Sequence, residues 1–270
     1  MILVRYGEIG LKGMNRVDFE KRLVGNIKDC LKKNRVVFKG VSRLRGRILV
    51  ESEDECSCLA RVFGISSFSS AVRCRLEMGS IKEVVRGIIA GDFSTFKISA
   101  KRLDKNFPMD SMQINRELGS FVQSVRDVRV RLNNPDLEIG IEIAQDGAFV
   151  FSGRTKGPGG LPAGSEGRVL CVLEDQNSVT AALRVMRRGC SVMLALKNKV
   201  DYSPIQEHAY GFRLRAGTGD IDTLAEQNHC QAVVVGQTIG GFSRLPYSKP
   251  VLRPMITLRT EGYVDINKKL

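Results

Sequence analysis

Between Gly157 and Gly189 the 270-residue chain carries the arrangement on which α/β proteins build phosphate sites: a buried strand, a polar turn and a helix start. The apolar run Val169-Leu170-Cys171-Val172-Leu173 has the length of a strand buried on both faces. A helical segment after the turn closes on Arg187, Arg188 and Gly189, residue types that suit a helix C-terminus. Such a turn aims backbone N–H groups and the helix dipole at a nucleotide phosphate. The candidate nucleotide-binding residues are Val172, Leu173, Glu174, Asp175, Gln176, Asn177 and Ser178, with Gly236 from the later loop Gly236-Gln-Thr-Ile-Gly-Gly241. Glycines would let the backbone approach a pyrophosphate, whereas two carboxylates repel one. The turn therefore supports two readings: an altered nucleotide pocket, and an ordinary strand–turn–helix with a solvated acidic N-cap.

The second chemistry is that of cations. The net charge is +13, and residues 21–50 hold ten basic side chains against one acidic. A concentration of this kind favours a polyanion over a merely solvated basic face. Lys39 lies in this patch, and Arg43, Arg45 and Arg47 alternate, which would place them along one side of an extended segment as a row of phosphate ligands. A second cluster, Lys97, Lys101, Arg102 and Lys105, is read as facing phosphates, while Phe107 beside it is read as core. Aromatic residues make up 6% of the chain and Trp is absent, so recognition of backbone and shape is favoured over base stacking.

Metal and thiol chemistry find little support. The seven cysteines form no CxxC pair, Cys56 and Cys58 have the wrong spacing for a zinc knuckle, and there are two histidines, so no metal site is assigned. Reduced, buried thiols are expected. No run approaches the roughly 20 apolar residues of a membrane span, and MILVRYGEIG lacks the regions of a signal peptide. A cytoplasmic protein is expected.

The elements that position these residues read as three units. Residues 1–66 give β-α-β-β-α: strands at 2–6, 36–39 and 47–51, a helix over 17–31 that Asn15 could cap, and a second helix from the acidic run at 51–55 to Gly64. This is a ferredoxin-like pattern. Residues 67–155 give helices at 81–90 and from Ser111, which caps its own helix, to Val125, with strands at 95–101, 130–132, 136–144 and 148–152. A linker spans 156–168. Residues 169–270 alternate strands with helices, which implies a doubly wound parallel sheet. The fold class is α/β, multi-domain.

Several motifs carry a family resemblance. GGLPAGSEGR (159–168) and MRRGC (186–190) are similar to the PP-loop ATPase domain of the tRNA sulfurtransferases, the 4-thiouridine synthetases also counted as thiamine-biosynthesis proteins. RYGEIGLKG (5–13), with Asn15, Arg16, Phe19 and Glu20, resembles their N-terminal domain. The cluster from Lys97 to Pro108 and the segment VRVRLNNPDLEIGIEI resemble the THUMP domain of tRNA-modifying enzymes, and PVLRPMI (250–256) resembles the family's closing segment. The pattern departs at the turn, where Glu174, Asp175 and Gln176 stand for Ser-Gly-Gly and Asn177 for an aspartate.

The resemblance implies a ferredoxin-like domain, a THUMP domain and a Rossmann-like PP-loop ATPase-type domain. It implies tRNA as partner, its acceptor end held by the first two, with ATP and Mg as cofactors that the altered turn disfavours. It also implies a sulfur carrier or an active modification enzyme as a further partner, and leaves room for a homodimer. The chain stops at Leu270, before the region of the family's catalytic cysteine, so no catalytic residue is assigned and Cys171, Cys190 and Cys230 are expected to be inert or recruited. The expectation is a tRNA-binding protein of this family impaired in adenylation and sulfur transfer. The alternative is an active ATP-dependent sulfurtransferase with an altered pocket and an external sulfur donor. A third reading makes Glu174 and Asp175 ligands of a divalent ion in a nucleotide- or RNA-sensing scaffold.

Overall fold

The structure, a computed structural model, describes residues 1–257. These fall into two compact units: Met1–Arg5, Val37–Cys56 and Ser67–Thr155 form the first, and Tyr6–Val36, Ser57–Ser66 and the chain from Lys156 form the second. In chain order β1 (Ile2–Arg5) leads through two 3-10 turns to α1 (Arg16–Lys33), then β2 (Gly40–Leu44), β3 (Arg47–Glu51), a 3-10 turn at Ser57–Arg61 and β4 (Ser67–Ser70). Next come β5 (Val72–Cys74), α2 (Met78–Ile88), β6 (Thr95–Arg102), α3 (Ser111–Val125), β7 (Arg129–Val130), β8 (Leu137–Ala144), β9 (Gly147–Ser152) and the short β10 (Thr155–Lys156). The remainder is β11 (Gly167–Leu173), α4 (Gln176–Arg187), β12 (Cys190–Leu196), α5 (Ser203–His208), β13 (Arg215–Gly217), α6 (Ile221–Gln227), β14 (Ala232–Val234) and β15 (Val251–Leu252).

The first unit contains two sheets. In one, β1 lies between β3 and β4, both antiparallel to it, with Leu3 opposite Leu49 and Ser69. β2 closes on β3 as a hairpin in which Leu44 faces Arg47, so Arg45 and Gly46 are the turn. The strand expected at 36–39 begins at Gly40 instead. Before it, Asp54 Oδ2 accepts from Val37 N and Ser52 Oγ donates to the Val37 carbonyl, so side chains stand in for a ladder there. The acidic run forms no helix; a 3-10 turn follows it at Ser57–Arg61.

The second sheet has the order β5-β9-β8-β6-β7, with β6 parallel to both neighbours. Its alternation decides two cores. Ile139, Ile141 and Ile143 pack with Ile81, Val85, Ile114, Leu118 and Val122 of α2 and α3. Phe149, Phe151 and Ala144, on the opposite face, pack with Leu3 and Leu49 of the first sheet. That second contact needs glycine at 140, because a Cβ there would lie 2.1 Å from the Phe151 ring. Phe107 is buried with the α2–α3 core. The cap of α3 is Asp110 rather than Ser111: its carboxylate accepts from Gln113 N, and Gln113 Oε1 accepts in return from Asp110 N, a full capping box.

In the second unit the sheet order is β13-β12-β11-β14-β15 and every pairing is parallel. One face buries Val169, Cys171, Val179, Ala182, Val185, Met186 and Ile205 under α4 and α5. The other buries Leu170, Val172, Met193, Ile221 and Ala225 under α6. Burying side chains of this size contributes roughly 1.5–3 kcal/mol each, so helices on both faces hold the sheet as a doubly wound layer. The strand order reverses between β11 and β14, which makes their carboxyl ends the place where such a sheet binds ligands. The glycine-rich stretch before β11 is a tied loop: Leu161 N donates to the Arg187 carbonyl and Glu166 N to that of Gly189, satisfying the end of α4. α1 of this unit buries Leu23, Ile27, Cys30 and Leu31 and ends on Asn34. Asn15 precedes it without a side-chain cap, because a 3-10 turn already leads in.

Candidate nucleotide turn and nucleic-acid interface

At the switch point, Asp175 is the N-cap of α4. Its Oδ1 accepts from Ser178 N at 2.8 Å, while Ser178 Oγ accepts from Glu174 N at 3.0 Å and Asp175 N at 3.1 Å. Three of the N–H groups that could cradle a phosphate are therefore already bonded within the turn. Glu174 carries its carboxylate to Lys197 Nζ at 3.2 Å, and this bond holds the ammonium above its usual range. Asn198 Nδ2 donates to the Glu174 carbonyl. From β14, Gly236 presses so closely on the start of α4 that a Cβ would lie 2.4 Å from Ser178 N.

Of the other candidates, Val172 and Leu173 are buried in opposite cores, and Gln176 and Asn177 are exposed on the first turn of α4. Glu174, Asp175 and Ser178 form a closed capping box at the start of α4, Gly236 packs against it, and the side chains of Val172 and Leu173 are turned into the cores. Two acidic side chains and occupied donors do not fit a polyphosphate. Among the described residues no group of three His, Cys, Asp or Glu could hold a metal ion.

The three cysteines of the parallel-sheet domain are equally unprepared for chemistry. Burial pushes Cys171, Cys190 and Cys230 upward, Cys190 further through Glu166, so none of the three is a ready thiolate. A pairing the sequence did not disclose is Cys30 with Cys58: the Cys30 thiol reaches the Cys58 carbonyl at 3.5 Å, and its hydrogen bond to the Cys58 thiol lowers that group while raising Cys30. Arg16, Glu20 and Glu8 are engaged within the chain. Arg16 bridges Glu20 and the Tyr6 hydroxyl, which also donates to Glu20, and burial with that bond pushes Tyr6 up to about 12. Glu8 pairs with Arg188 at 2.9 Å.

All eight candidate RNA contacts lie in the first unit. Arg43 and Arg45 are exposed, Arg45 at the hairpin tip. Lys39 is exposed, 3.9 Å from Glu53. Lys101 and Lys105 are exposed and Lys97 is half-buried. Two cations have been taken inward. Arg102 donates to the carbonyls of Phe107 and Met109, shaping the loop that carries Lys105. Arg47 departs from the expected row, since the turn at Arg45–Gly46 breaks the extended segment and reverses the chain before it. It is buried, with Nε 2.6 Å from Glu142 Oε2.

Glu142 is itself 2% exposed and takes Arg5 Nε on its other oxygen, also at 2.6 Å. Burial would push this carboxyl up, but the Arg47 and Arg5 guanidiniums hold it below the usual carboxylate range. Arg5 lies 4.4 Å over the Phe151 ring. The contacts join residues 95 and 137 positions apart, which no sequence spacing signals. Arg45 and Lys105 line a cleft of about 330 Å³ floored by Ala144, Gln145 and Asp146.

A ferredoxin-like strand set, a THUMP-like sheet under two helices and a doubly wound parallel sheet together define the architecture of a THUMP-containing RNA-modification protein. Residues 1–69 match the ThiI ferredoxin-like domain and residues 77–152 the THUMP domain. The "Probable tRNA sulfurtransferase" of Methanocaldococcus jannaschii is 38% identical over 333 aligned positions, covering 100% of this chain and 87% of that protein. The chain belongs to the tRNA sulfurtransferase family. For several bacterial relatives the alignment takes in about half of their length. Among solved structures, PH1313 from Pyrococcus horikoshii Ot3 has a TM-score of 0.85 at 29% identity, over 99% of this chain and 97% of that one. A 4-thiouridine synthetase, solved as an RNA complex with bound ATP, has a TM-score of 0.73 at 25% identity, over 94% and 80% of the two chains.

Proposed function

We propose that this protein binds tRNA at its acceptor end through its ferredoxin-like and THUMP domains, and that its adenylation and sulfur-transfer steps are impaired. Exposed cations on the hairpin and on the THUMP strand and loop support the first part, as does the RNA bound to the related synthetase. The second part is carried by one observation: Asp175 fills the N-terminus of α4 with the chain's own carboxylate. Adenylation needs that position for a pyrophosphate, and sulfur delivery needs an activated thiol. An active modification enzyme or a sulfur carrier would then be the partner that completes the chemistry.

Calorimetry with ATP and Mg-ATP, with and without unfractionated tRNA, tests both parts. The expected result is tRNA binding that weakens steeply with salt, and no heat with ATP. Micromolar ATP binding would overturn the impaired reading in favour of an active sulfurtransferase with an altered pocket and an external sulfur donor.

A further inference from the structure

Both walls of the Arg45–Lys105 cleft hang from two consecutive residues of β8. On one side the Glu142 carboxylate holds Arg47 Nε, and Arg47 Nη1 donates at 2.6 Å to the carbonyl of Gly46, the second residue of the turn that carries Arg45. On the other, the Ile143 carbonyl accepts from Leu103 N at 2.8 Å and Asp104 N at 3.1 Å, fixing the start of the loop that carries Lys105. The next residues, Ala144 to Asp146, form the floor. Glu142 also faces Lys101 across the β6–β8 ladder.

A buried carboxylate needs partners to offset its desolvation, and the Arg5–Glu142–Arg47 triad supplies them. Its placement has a further effect. The fork of Arg47 spends one arm on Glu142 and the other on the turn carbonyl, so a cation sixty residues away in sequence from Lys105 is held in fixed relation to it. A lysine at 47 would reach one of these acceptors and lack the planar fork for both.

We infer that Glu142 is a positioning residue for RNA: acting through Arg47, it sets the Arg45 turn against the Lys105 loop so that the two cations grip neighbouring phosphates of one strand. The inference rests on the tRNA-binding reading above. It also predicts a sign that simple charge does not. Removing a carboxylate raises the net positive charge, so the long-range field alone would tighten binding to a polyanion. Loss of positioning weakens it.

The test is the affinity for unfractionated tRNA of the full chain, measured between about 50 and 200 mM salt, for the wild type, Arg45→Ala, Glu142→Gln and Arg47→Lys, with thermal melts alongside. Arg45→Ala is expected to weaken binding about tenfold and to lower the log–log salt slope by roughly one. Glu142→Gln should do the same although it removes no cation, and Arg47→Lys should follow although it keeps the charge. Should Glu142→Gln fail to fold, Arg47→Lys, which preserves an ion pair, decides the matter.

Unchanged or tighter binding by folded Glu142→Gln and Arg47→Lys, with Arg45→Ala still weakened, would overturn the inference and leave the tRNA reading standing. A neutral Arg45→Ala would also overturn it. A wild type without salt-dependent tRNA binding would overturn the reading and the inference together.

Discussion

Asp175 shows how one side chain can decide what a helix N-terminus is for. In the capping box its carboxylate and the Ser178 hydroxyl bond the backbone of residues 174, 175 and 178, taking three N–H groups that an external anion would otherwise meet. Asp175→Ala should therefore cost about 1 kcal/mol of stability, the usual worth of a lost N-cap, and Asp175→Asn should retain most of it because an acceptor oxygen remains. Urea denaturation of the two variants checks this, and equal losses would show that the cap bond is not what Asp175 contributes. The acidic N-cap was legible in the sequence, since Asp and Ser three apart before an apolar stripe state the motif locally. The burial of Arg47 was not, because its partners come from strands far along the chain.

Among the elements, local signals were sufficient wherever a strand or helix carried its own pattern. The run Val169–Leu173 lies within β11. Errors fell where one glycine or side chain redirected the backbone. Gly46, at φ +80°, turns the Arg43–Arg47 stretch into a hairpin, and the pattern Leu-Arg-Gly-Arg is the signal that an alternation of arginines concealed.

The pairing of β8 with β9 offers a direct test of how the two sheets of the first unit are matched. Gly140 leaves room for the Phe151 ring, which packs with Leu3 and Leu49 beneath the stacked Arg5. Gly140→Ala should destabilise the protein by about 1–3 kcal/mol through overpacking. Adding Phe151→Leu should recover part of that loss, and a strictly additive double variant in chemical denaturation would show that the ring is not the obstacle.

For the whole molecule, the alternation of elements foretold the parallel sheet, because it is a sum over many residues and tolerates local misreading; the charge balance, a sum of the same kind, is what the proposed tRNA partner would answer. Among the described residues no helix is long and apolar enough to cross a membrane. What the totals do not contain is the linkage of distant residues into one cleft, which depends on tertiary pairing. The same limit applied to the glycine-rich stretch before β11. Its composition reads as a linker or a tight loop, and only tertiary contacts decide between them: Pro158 and Gly160 to Ala163 are buried, and its amides complete the end of α4. Proteases need a segment that can leave the surface and bend into their active site. Brief digestion with a broad-specificity protease should spare residues 158–163 and nick the exposed run at 152–156 instead, as mass spectrometry of the fragments would reveal. A chain whose most glycine-rich passage resists cleavage would have to be cut elsewhere by anyone wishing to separate its THUMP domain from its parallel-sheet domain.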